Sequence, residues 1–373
     1  MTSDHFLDSI QQQLVKKLPF VAYSKPKETL VKAILQSNSE VYVVEDYSEK
    51  GFVFAPFDTS KDAVLIPIKN SLSIECKHVI TNNSENSQSI IQNTDSSKIH
   101  HINLVEKGIE AIRKEQFQKV VLSRCEEVEF LGVNPIDVFQ KLLQSYPTAF
   151  VYCWYHPEIG LWLGATPETL LEVEGSRFKT MALAGTQKYQ GTVEVSWENK
   201  EKDEQQFVTD FIVNNLKNST INLKVSDVET VKAGSLLHLK TNITGALNFE
   251  SSKLKQVLKA LHPTPAVCGL PKEKAKQFIL KNENYNREFY TGFLGELNFQ
   301  EKTTRNTNRR NVENNVYTSV KNVSNLFVNL RCMQILKQNA LIYVGGGITK
   351  DSNPVAEWQE TIAKADIMKK VLQ

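Results

Sequence analysis

Residues 149–186 read AFVYCWYHPEIGLWLGATPETLLEVEGSRFKTMALAGT, and their apolar runs occur in adjacent pairs. AFVYCWYH and LWLGATPETLLEVEG predict a hairpin-like pair of strands, and a further strand ends at MALAGT. Other strand-like runs are VYVVEDY at 41–47, AVLIPI at 63–68 and KVVLSRCEEVEF at 119–130. Strands outnumber helices and do not alternate regularly with them. The pattern therefore predicts an α+β protein with antiparallel sheets and argues against a doubly wound nucleotide-binding fold.

Four segments have the apolar spacing of helices. The predicted helices cover residues 104–117, residues near 135–145 and residues from about 203 to 216. The last helix is predicted to begin near Pro354, because Asn353 is a good N-cap and proline suits the first helical position.

Two polar stretches predict exposed connections. Residues 82–99 are rich in Ser and Asn and indicate a surface loop or linker, and residues 301–315 form a basic, Asn-rich loop. Two strands are expected between this second loop and the last helix. We expect residues 1–100 to be a strand-rich N-terminal part of the same fold unit, whereas the candidate site residues lie in 101–373.

Composition excludes several classes of protein. The 373 residues include 44 Lys+Arg and 42 Asp+Glu, so the net charge of +2 argues against a basic nucleic-acid-binding protein and an acidic solvating chain. The five cysteines are far apart and form no C-x-x-C pair, which favours reduced structural residues. No run of about 18 apolar residues and no signal-peptide pattern is present, so we expect a cytoplasmic protein.

The predicted C-terminal helix carries charged residues on one face. Glu357, Glu360 and Lys364 fall at i, i+3 and i+7. The same face continues into Met368 and Val371. A face that is charged at one end and apolar at the other indicates a helix that borders both a cavity and a core. A solvated surface is the alternative interpretation.

The helix near 203–216 has a similar pattern. The carboxylate of Glu204 heads an apolar stripe that follows three, four and seven residues later: Phe207, Val208 and Phe211. Two helices that each direct a carboxylate inward could share Mg²⁺, which takes one or two protein carboxylates with water and substrate oxygens. The alternative is a glutamate in the first helical turn that is favoured by the helix dipole.

Two further residues are candidates for acid–base chemistry. Lys119 opens the strand KVVLSR, and a buried lysine near a cation could act as a general base, whereas a solvated strand end is the alternative. Glu168 follows Pro167 at a turn between two apolar strands, where burial would raise the pKa of its carboxyl and suit it to donate a proton. An exposed turn glutamate is the alternative.

Arg331 and a glycine run are candidates for binding an anion. Arg331 shares one face of the predicted strand LFVNLRC with Asn329, and its guanidinium could match a substrate carboxylate or form an internal salt bridge. Gly345, Gly346 and Gly347 directly follow the strand ALIYV, so their N–H groups could line an anion site. A tight turn is the alternative, because the run does not fit a dinucleotide or Walker pattern.

At these residues the sequence resembles the chorismate-utilising enzymes. This family includes isochorismate synthase, salicylate synthase, aminodeoxychorismate synthase and anthranilate synthase component I. The resemblance runs from about residue 104 to the end. Its motifs are KVVLSR at 119–124, GATPE at 164–168, MALAGT at 181–186, LHPTPAVCGLP at 261–271, NREFYTGFLGELN at 286–298, LFVNLRC at 326–332, and GGGI followed by SNPVAEWQET at 345–361.

The resemblance implies a fold and a metal. The family fold consists of two large packed antiparallel sheets with helices on the outside and an active site in a deep cleft. By resemblance, residues 101–373 are the chorismate-binding catalytic region. Glu204 and Glu360 are expected to hold a Mg²⁺ ion that binds the ring carboxylate of chorismate, with Glu357 in or next to the water shell of the metal.

The resemblance also assigns substrate-binding positions. Arg331 and the backbone near Gly345 are expected to hold the enolpyruvyl carboxylate, and Lys364 is expected to assist at this anionic site. Chorismate carries two carboxylates, so one pocket needs several fixed positive centres. The remaining expected substrate-binding residues belong to the AGT motif: Ala184, Gly185 and Thr186.

Certain positions distinguish the reactions of the family. A lysine at the position of Lys119, as in isochorismate and salicylate synthases, deprotonates the water that attacks C2, whereas anthranilate synthases have glutamine there. The glutamate at the position of Glu168 protonates the departing C4 hydroxyl. Ala184 replaces the nucleophilic lysine of aminodeoxychorismate synthases, which disfavours a covalent mechanism. The implied activity is reversible, Mg²⁺-dependent isomerisation of chorismate to isochorismate.

Two other interpretations stay open. One is a salicylate synthase, which also eliminates pyruvate, and the other is an inactive chorismate-binding homologue. We expect a monomer with chorismate as its small-molecule partner and with no nucleic-acid, membrane or obligatory amidotransferase partner. The product could feed menaquinone or siderophore biosynthesis.

The sequence departs from the family pattern in three places. Gln205 stands where a histidine usually follows the first metal glutamate, and Gln187 stands where a basic residue is common after AGT. The connection over 299–325 is longer and more basic than expected. None of these departures removes a candidate catalytic group.

Overall fold

The computed structural model of the protein covers most of the chain. Most of the predicted loop over 82–99 and most of that over 301–315 lie outside the described residues. The parts that are described differ from the prediction, because residues 95–99 are helical and residues 301–303 belong to a strand. The described residues are 1–77, 95–233, 236–247, 254–303 and 319–372.

The described residues form seven helices: α1 (Ser3–Val15), α2 (Asp95–Arg113), α3 (Pro135–Ser145), α4 (Asn199–Leu216), α5 (Leu254–Leu261), α6 (Lys272–Asn282) and α7 (Pro354–Lys369). The four predicted helices are confirmed as α2, α3, α4 and α7. The predicted cap of α7 is confirmed as well, because the Asn353 side chain accepts hydrogen bonds from the N–H groups of Val355 and Ala356, each at 3.0 Å. No helix within the described ranges combines the length and the apolarity that a membrane span requires.

The described strands, in chain order, are β1 (Phe20–Ser24), β2 (Leu30–Gln36), β3 (Tyr42–Val43), β4 (Gly51–Ala55), β5 (Val64–Pro67), β6 (Ser71–Lys77), β7 (Lys119–Glu129), β8 (Phe150–His156), β9 (Gly160–Thr166), β10 (Thr169–Glu174), β11 (Arg177–Lys188), β12 (Thr220–Val225), β13 (Glu229–Ala233), β14 (Leu236–Leu247), β15 (Gly269–Leu270), β16 (Phe293–Thr303), β17 (Ser319–Val328), β18 (Cys332–Leu336) and β19 (Asn339–Ile348). The predicted strand over 41–47 is wrong in length, because only β3 forms there. Three strands precede α7 after the second predicted loop, not two.

The strands build two antiparallel sheets. The first sheet has the order β15-β7-β19-β18-β9-β8-β1-β2-β6, and the second has the order β12-β14-β11-β10-β17-β16-β4-β5-β3, with β13 also paired to β14. Every strand pair is antiparallel. The predicted α+β class with two large antiparallel sheets is therefore confirmed.

An aromatic layer joins the two sheets. Phe54 of the second sheet packs on Trp154 of the first with ring centroids 5.0 Å apart, and Phe150 stacks on Phe327 at 4.2 Å. These side chains are almost completely buried. Aromatic side chains bury large areas and prefer such stacked or edge-on contacts, so this layer holds the sheets together.

The helices cover the outer faces of the sheets, as predicted. Apolar residues of α1, α3 and α7 share a core with the first sheet, and those of α4 and α5 share one with the second. Helices α2 and α6 pack against β7 at one edge of the first sheet. The first 77 residues supply strands to both sheets, because β1, β2 and β6 join the first and β3, β4 and β5 join the second.

Two of the points at which the chain crosses between the sheets lie next to each other. The stretch LWLGATPETLLEVEG is not one strand, because β9 lies in the first sheet and β10 in the second, with Pro167 and Glu168 between them. The return crossing joins β17 to β18. The two crossings are hydrogen-bonded to each other, from Val328 N–H to Glu168 O at 2.9 Å and from Ala165 N–H to Arg331 O at 3.0 Å. Glu168 and Arg331 are therefore neighbours despite their distance in sequence.

Candidate active site

A partly open cleft lies beside the two crossings. Charged, glycine and apolar residues line it together, as is usual for sites that bind small polar molecules. The residues predicted for the site line the cleft, with one exception: Glu357 is not among the lining residues. The predicted residues that line it are Lys119, Glu168, Ala184, Gly185, Thr186, Glu204, Arg331, Gly345, Glu360 and Lys364.

Lys119 is the first residue of β7 and is buried, with 2% of its surface exposed. Its ammonium nitrogen lies 3.9 Å from the Glu204 carboxylate of α4. Gly347 makes room for this side chain, because a Cβ atom at that position would lie 3.0 Å from Lys119 Cε. The structure thus excludes a solvated strand end and places Lys119 in the cleft wall.

Glu168 occupies the crossing between β9 and β10 and is 4% exposed. Burial raises the pKa of its carboxyl to about 8, although the positive charges of Lys119 and Arg331 act in the opposite direction. The group is therefore mostly protonated at neutral pH and can donate a proton. An exposed turn glutamate, the alternative interpretation, is excluded.

Arg331 does not lie in a strand, so the predicted strand LFVNLRC is wrong at its end. β17 stops at Val328, and Arg331 adopts a positive φ of 47° in the return crossing. This backbone conformation is uncommon for a residue with a side chain. It turns the chain from the second sheet into the first and brings the guanidinium to the cleft. Burial lowers the pKa of Arg331 to about 10, so the group stays charged at neutral pH.

His238 of β14 holds Arg331 and was not found from the sequence. Its Nδ1 lies 2.9 Å from the carbonyl oxygen of Gly185, and its Nε2 lies 3.0 Å from Arg331 Nη2. Because a carbonyl only accepts, Nδ1 carries the proton and Nε2 accepts from the guanidinium. Burial and the charge of Arg331 lower the pKa of His238 to about 3, so the ring stays neutral. A histidine inside the apolar run LLHL was the only signal in the sequence.

The glycine run belongs to β19 and does not follow it, so both the predicted strand end and the tight turn are wrong. Gly345 and Gly347 pair with Ser123 and Val121 of β7, whose N–H groups donate to acceptors outside this strand pair. In an antiparallel ladder, Gly345 and Gly347 must then also point their N–H and C=O groups away from β7. The Gly345 carbonyl accepts from Lys364 Nζ at 2.8 Å. The main chain of β19 at Gly345 therefore faces the cleft, because β18 no longer pairs with β19 at this point.

Helices α4 and α7 form what we call the helix wall: Lys200, Glu204, Glu357, Glu360 and Lys364. Burial alone would raise the pKa of Glu360, but the Lys364 ammonium at 2.7 Å holds it below its ordinary value. Glu357 is 3% exposed and pairs with Lys200 at 2.9 Å. Burial raises the pKa of Glu357 despite this partner. The predicted charged face of α7 is thus not a solvated surface.

The helix wall offers oxygen ligands to a hard cation. One carboxylate oxygen of Glu357, in α7, is buried without a hydrogen-bond partner among the described residues. The same is true of one oxygen of Glu201, which lies in α4 near the helix wall. Such oxygens suit Mg²⁺, which uses few protein carboxylates and keeps water or substrate oxygens as its other ligands. In the described part of the chain, no three Asp, Glu, His or Cys side chains are already gathered as a metal cluster. The residues therefore fit a metal that is completed by water and substrate.

The two glutamine departures lie outside this wall. Gln205 is buried and donates to the hydroxyls of Thr209 at 2.9 Å and Thr241 at 2.5 Å, so it fixes α4 on β14. Gln187 donates to the carbonyl of Ser196 at 2.9 Å. Neither residue lines the cleft. The third departure, within 299–325, lies largely outside the described residues.

Comparison with known families identifies the chain. Residues 52–304 match a family described as chorismate binding enzyme, and residues 315–370 match a second profile of the same description. The protein is a member of the chorismate-binding enzyme family. The resemblance seen in its motifs is therefore confirmed.

Individual relatives include two kinds of enzyme. The isochorismate synthase EntC of Escherichia coli (strain K12) is 27% identical over 263 residues, which are 68% of this chain and 62% of EntC. Anthranilate synthase component 1 of Aquifex aeolicus (strain VF5) is 27% identical over 281 residues, which are 72% of this chain and 52% of that protein. The chain thus spans less than two thirds of the length of these curated relatives.

A solved structure confirms the fold. The crystal structure of DhbC from Bacillus anthracis, described as a 2,3-dihydroxybenzoate-specific isochorismate synthase, has a TM-score of 0.77 to this chain at 22% identity. The similarity covers 97% of this chain and 98% of DhbC. The two-sheet architecture of the family therefore extends over the N-terminal strands as well.

Proposed function

We propose that this member of the family is an isochorismate synthase. The reaction is the reversible isomerisation of chorismate to isochorismate, in which water adds at C2 and the hydroxyl at C4 leaves. The observation that carries the proposal is a buried, protonated Glu168 in the same cleft as Lys119. Addition of water and loss of a hydroxyl need one group that takes a proton and one that gives a proton.

Lys119 is the proposed base and Glu168 the proposed acid. Lys119 takes a proton from the attacking water, for which its ammonium must first lose its own proton. Glu168 gives its proton to the C4 oxygen, so that water leaves in place of hydroxide. Ala184 offers no nucleophile in the cleft wall, which supports direct addition of water over a covalent route.

The anionic groups of chorismate require positive partners. Arg331 is the proposed partner of the enolpyruvyl carboxylate, because its guanidinium is charged, oriented by His238 and placed in the cleft. The main chain at Gly345 and the ammonium of Lys364 are proposed to complete this site. Gly185 and Thr186 are proposed to contact the substrate from β11.

The proposal includes Mg²⁺ as the cofactor. Glu204 and Glu360 would hold it, with Glu357 in or next to its water shell. When bound, Mg²⁺ would neutralise the ring carboxylate of chorismate and fix its position. The buried, unpartnered carboxylate oxygen of Glu357 next to these two glutamates supports this role.

An assay with chorismate tests the proposed activity. The purified protein should form isochorismate when Mg²⁺ is present and lose activity with EDTA, and added Mg²⁺ should restore it. The products should be separated, with ammonium salts included in a parallel reaction. Salicylate with pyruvate as the main products would identify a salicylate synthase, and anthranilate would identify an anthranilate synthase. Either result, or no turnover, would refute the proposal.

The biological setting remains a prediction from the sequence. The proposed reaction adds water and not ammonia, so it requires no amidotransferase partner. Assignment to menaquinone or to siderophore biosynthesis, a cytoplasmic location and a monomeric state are expectations from the sequence.

A further inference from the structure

Each carboxylate of the helix wall is neutralised by one lysine. A cation that binds these carboxylates must therefore compete with ammonium groups that are already in place. The three pairs are Glu204 with Lys119 at 3.9 Å, Glu357 with Lys200 at 2.9 Å, and Glu360 with Lys364 at 2.7 Å.

Lys200 is the member of this set that can leave most easily. Lys119 is buried, and Lys364 is held by a second bond to the Gly345 carbonyl. The Lys200 side chain is 31% exposed and extends from the first turn of α4. A lysine in this setting has a long, flexible side chain whose ammonium is strongly hydrated outside the protein.

A second cavity offers Lys200 another position. It is open to solvent, and Lys200 lies in its wall. The same wall contains the exposed carboxylates of Glu115, Asp203 and Asp351 and the exposed ammonium groups of Lys274 and Lys350. An ammonium that leaves Glu357 can therefore rotate into a solvated space that contains charges of both signs.

Glu357 cannot be left without a cation in the same way. Its side chain is 3% exposed, and a buried carboxylate without an opposite charge is strongly destabilised. The Lys200 ammonium occupies one carboxylate oxygen, and the other has no hydrogen-bond partner in the described residues. Lys200 and a divalent cation are thus alternative partners of one carboxylate.

We propose that Lys200 is a displaceable internal cation, which holds Glu357 when the metal is absent and moves into the second cavity when Mg²⁺ binds. This inference rests on the Mg²⁺ site of the proposed function. It makes Lys200 a positioning residue and not a catalytic one. The apparent metal affinity of the free protein then equals the intrinsic affinity multiplied by the fraction of molecules in which Lys200 has left Glu357.

Titration of Mn²⁺ alone into the metal-free protein tests the proposal, with free Mn²⁺ measured by electron paramagnetic resonance. Lys200→Gln keeps a helix-forming side chain but removes the charge. It should bind Mn²⁺ about 10-fold more tightly than the wild type, as expected if Lys200 occupies Glu357 in about nine molecules of ten. Lys202→Gln is the matched control, because Lys202 is an exposed lysine of the same helix. Its affinity should change by no more than about 2-fold, since charges in solvent are screened.

A double-mutant cycle separates displacement from simple repulsion. If Lys200 acts by occupying Glu357, Lys200→Gln should give no gain in affinity when Glu357→Gln is already present. Repulsion of the metal through space would give the same gain in both backgrounds and would overturn the proposal. Equal binding by the wild type and Lys200→Gln, or no binding by either, would overturn it too.

The outcome is distinguishable from that of the proposed function. If the wild type makes no isochorismate but Lys200→Gln still binds Mn²⁺ more tightly, the activity is wrong and the displacement stands. If isochorismate forms with Mg²⁺ but the two proteins bind Mn²⁺ equally, the activity stands and the displacement is wrong. Thermal unfolding of each variant shows that the comparison is made on folded protein.

Discussion

Two glutamates on different walls of the cleft, Glu360 and Glu168, have pKa values that are shifted in opposite directions. On the helix wall, Glu360 lies 2.7 Å from Lys364, and its pKa is held below the ordinary value. On the other side, which we call the crossover wall (Glu168, His238 and Arg331), the pKa of Glu168 is raised to about 8. Both side chains border the same cleft. The difference is that Glu360 has an ion pair at contact distance, whereas burial dominates at Glu168.

This difference divides the chemistry between the walls. The crossover wall presents a neutral acid and a neutral histidine, so it can give a proton and orient Arg331. The helix wall pairs each of its carboxylates with a lysine, and at Glu360 this ion pair favours the charged form. Pairs of titratable groups whose environments separate their pKa values are a common sign of an acid or base assignment.

The largest expected effect comes from removing the acid of the crossover wall. Glu168→Gln cannot donate a proton, so kcat should fall by about 10² to 10⁴, the usual contribution of a general acid. In the wild type, kcat/KM should fall as the pH rises through about 8, because Glu168 of the free enzyme loses its proton there. The variant should lack this alkaline limb. Steady-state kinetics from pH 6 to 9.5 measures both effects.

Glu174→Gln is the control for this variant, because Glu174 is an exposed carboxylate at the end of β10, the strand that follows Glu168. Its kcat and pH profile should match the wild type. A Glu168→Gln enzyme that kept a normal kcat would show that another group protonates the leaving oxygen.

Much of this architecture was predictable because it depends on local patterns. Apolar spacing indicated α4 and α7, and the inward position of Glu204 and Glu360 followed from the helical period. The antiparallel class followed from paired strands. These features depend on residues a few positions apart, which a sequence displays directly.

The crossover wall was harder to predict from the sequence because it depends on contacts between residues that are far apart in the chain. His238 and Arg331 are 93 residues apart, and no local pattern pairs them. Asn329 and Arg331 had the alternation of a strand, but the chain leaves the second sheet at Val328. Glu357 shares a helical face with Glu360, but it does not line the cleft and pairs with Lys200, which no sequence pattern singles out.

Substitution of a carboxylate in the helix wall should lower the activity by an amount that depends on the Mg²⁺ concentration. Glu360→Gln removes a proposed Mg²⁺ ligand, so activity at low Mg²⁺ should fall by about 100-fold or more, with partial recovery at high Mg²⁺. Asp366→Asn, which changes an exposed carboxylate of α7, should behave like the wild type. Activity measured over a range of Mg²⁺ concentrations checks this. Full activity of Glu360→Gln at low Mg²⁺ would remove this residue from the metal site.

A smaller effect is expected when the orientation of Arg331 is lost. His238→Ala removes the acceptor on Arg331 but leaves the guanidinium charged, so KM for chorismate should rise about 10-fold with a smaller change in kcat. His238→Gln keeps an acceptor and should recover part of the loss. The exposed His100 of α2 provides the control variant, His100→Ala. A fall in kcat alone, with KM unchanged, would mean that His238 acts on the reaction and not on binding.

The last effect concerns stability and tests the crossover wall without substrate or metal. The carboxyl of Glu168 has a pKa of about 8 in the folded protein and an ordinary value near 4.5 when unfolded. Between these values the folded state binds a proton that the unfolded state has released, so this group lowers the free energy of unfolding as the pH rises. The maximal slope for one proton is about 1.4 kcal/mol per pH unit.

Glu168→Gln lacks this titration. Its free energy of unfolding, relative to the wild type, should therefore increase between pH 5 and pH 8 and stay constant above that, by a total on the order of a few kcal/mol. Urea unfolding of both proteins at pH 5.5, 7 and 8.5 measures the difference, and the contributions of all other groups cancel. If the free energies of unfolding of the two proteins changed in parallel across this pH range, the carboxyl would be solvated in the folded protein. The contrast between a buried acid on one wall and ion-paired carboxylates on the other would then be lost.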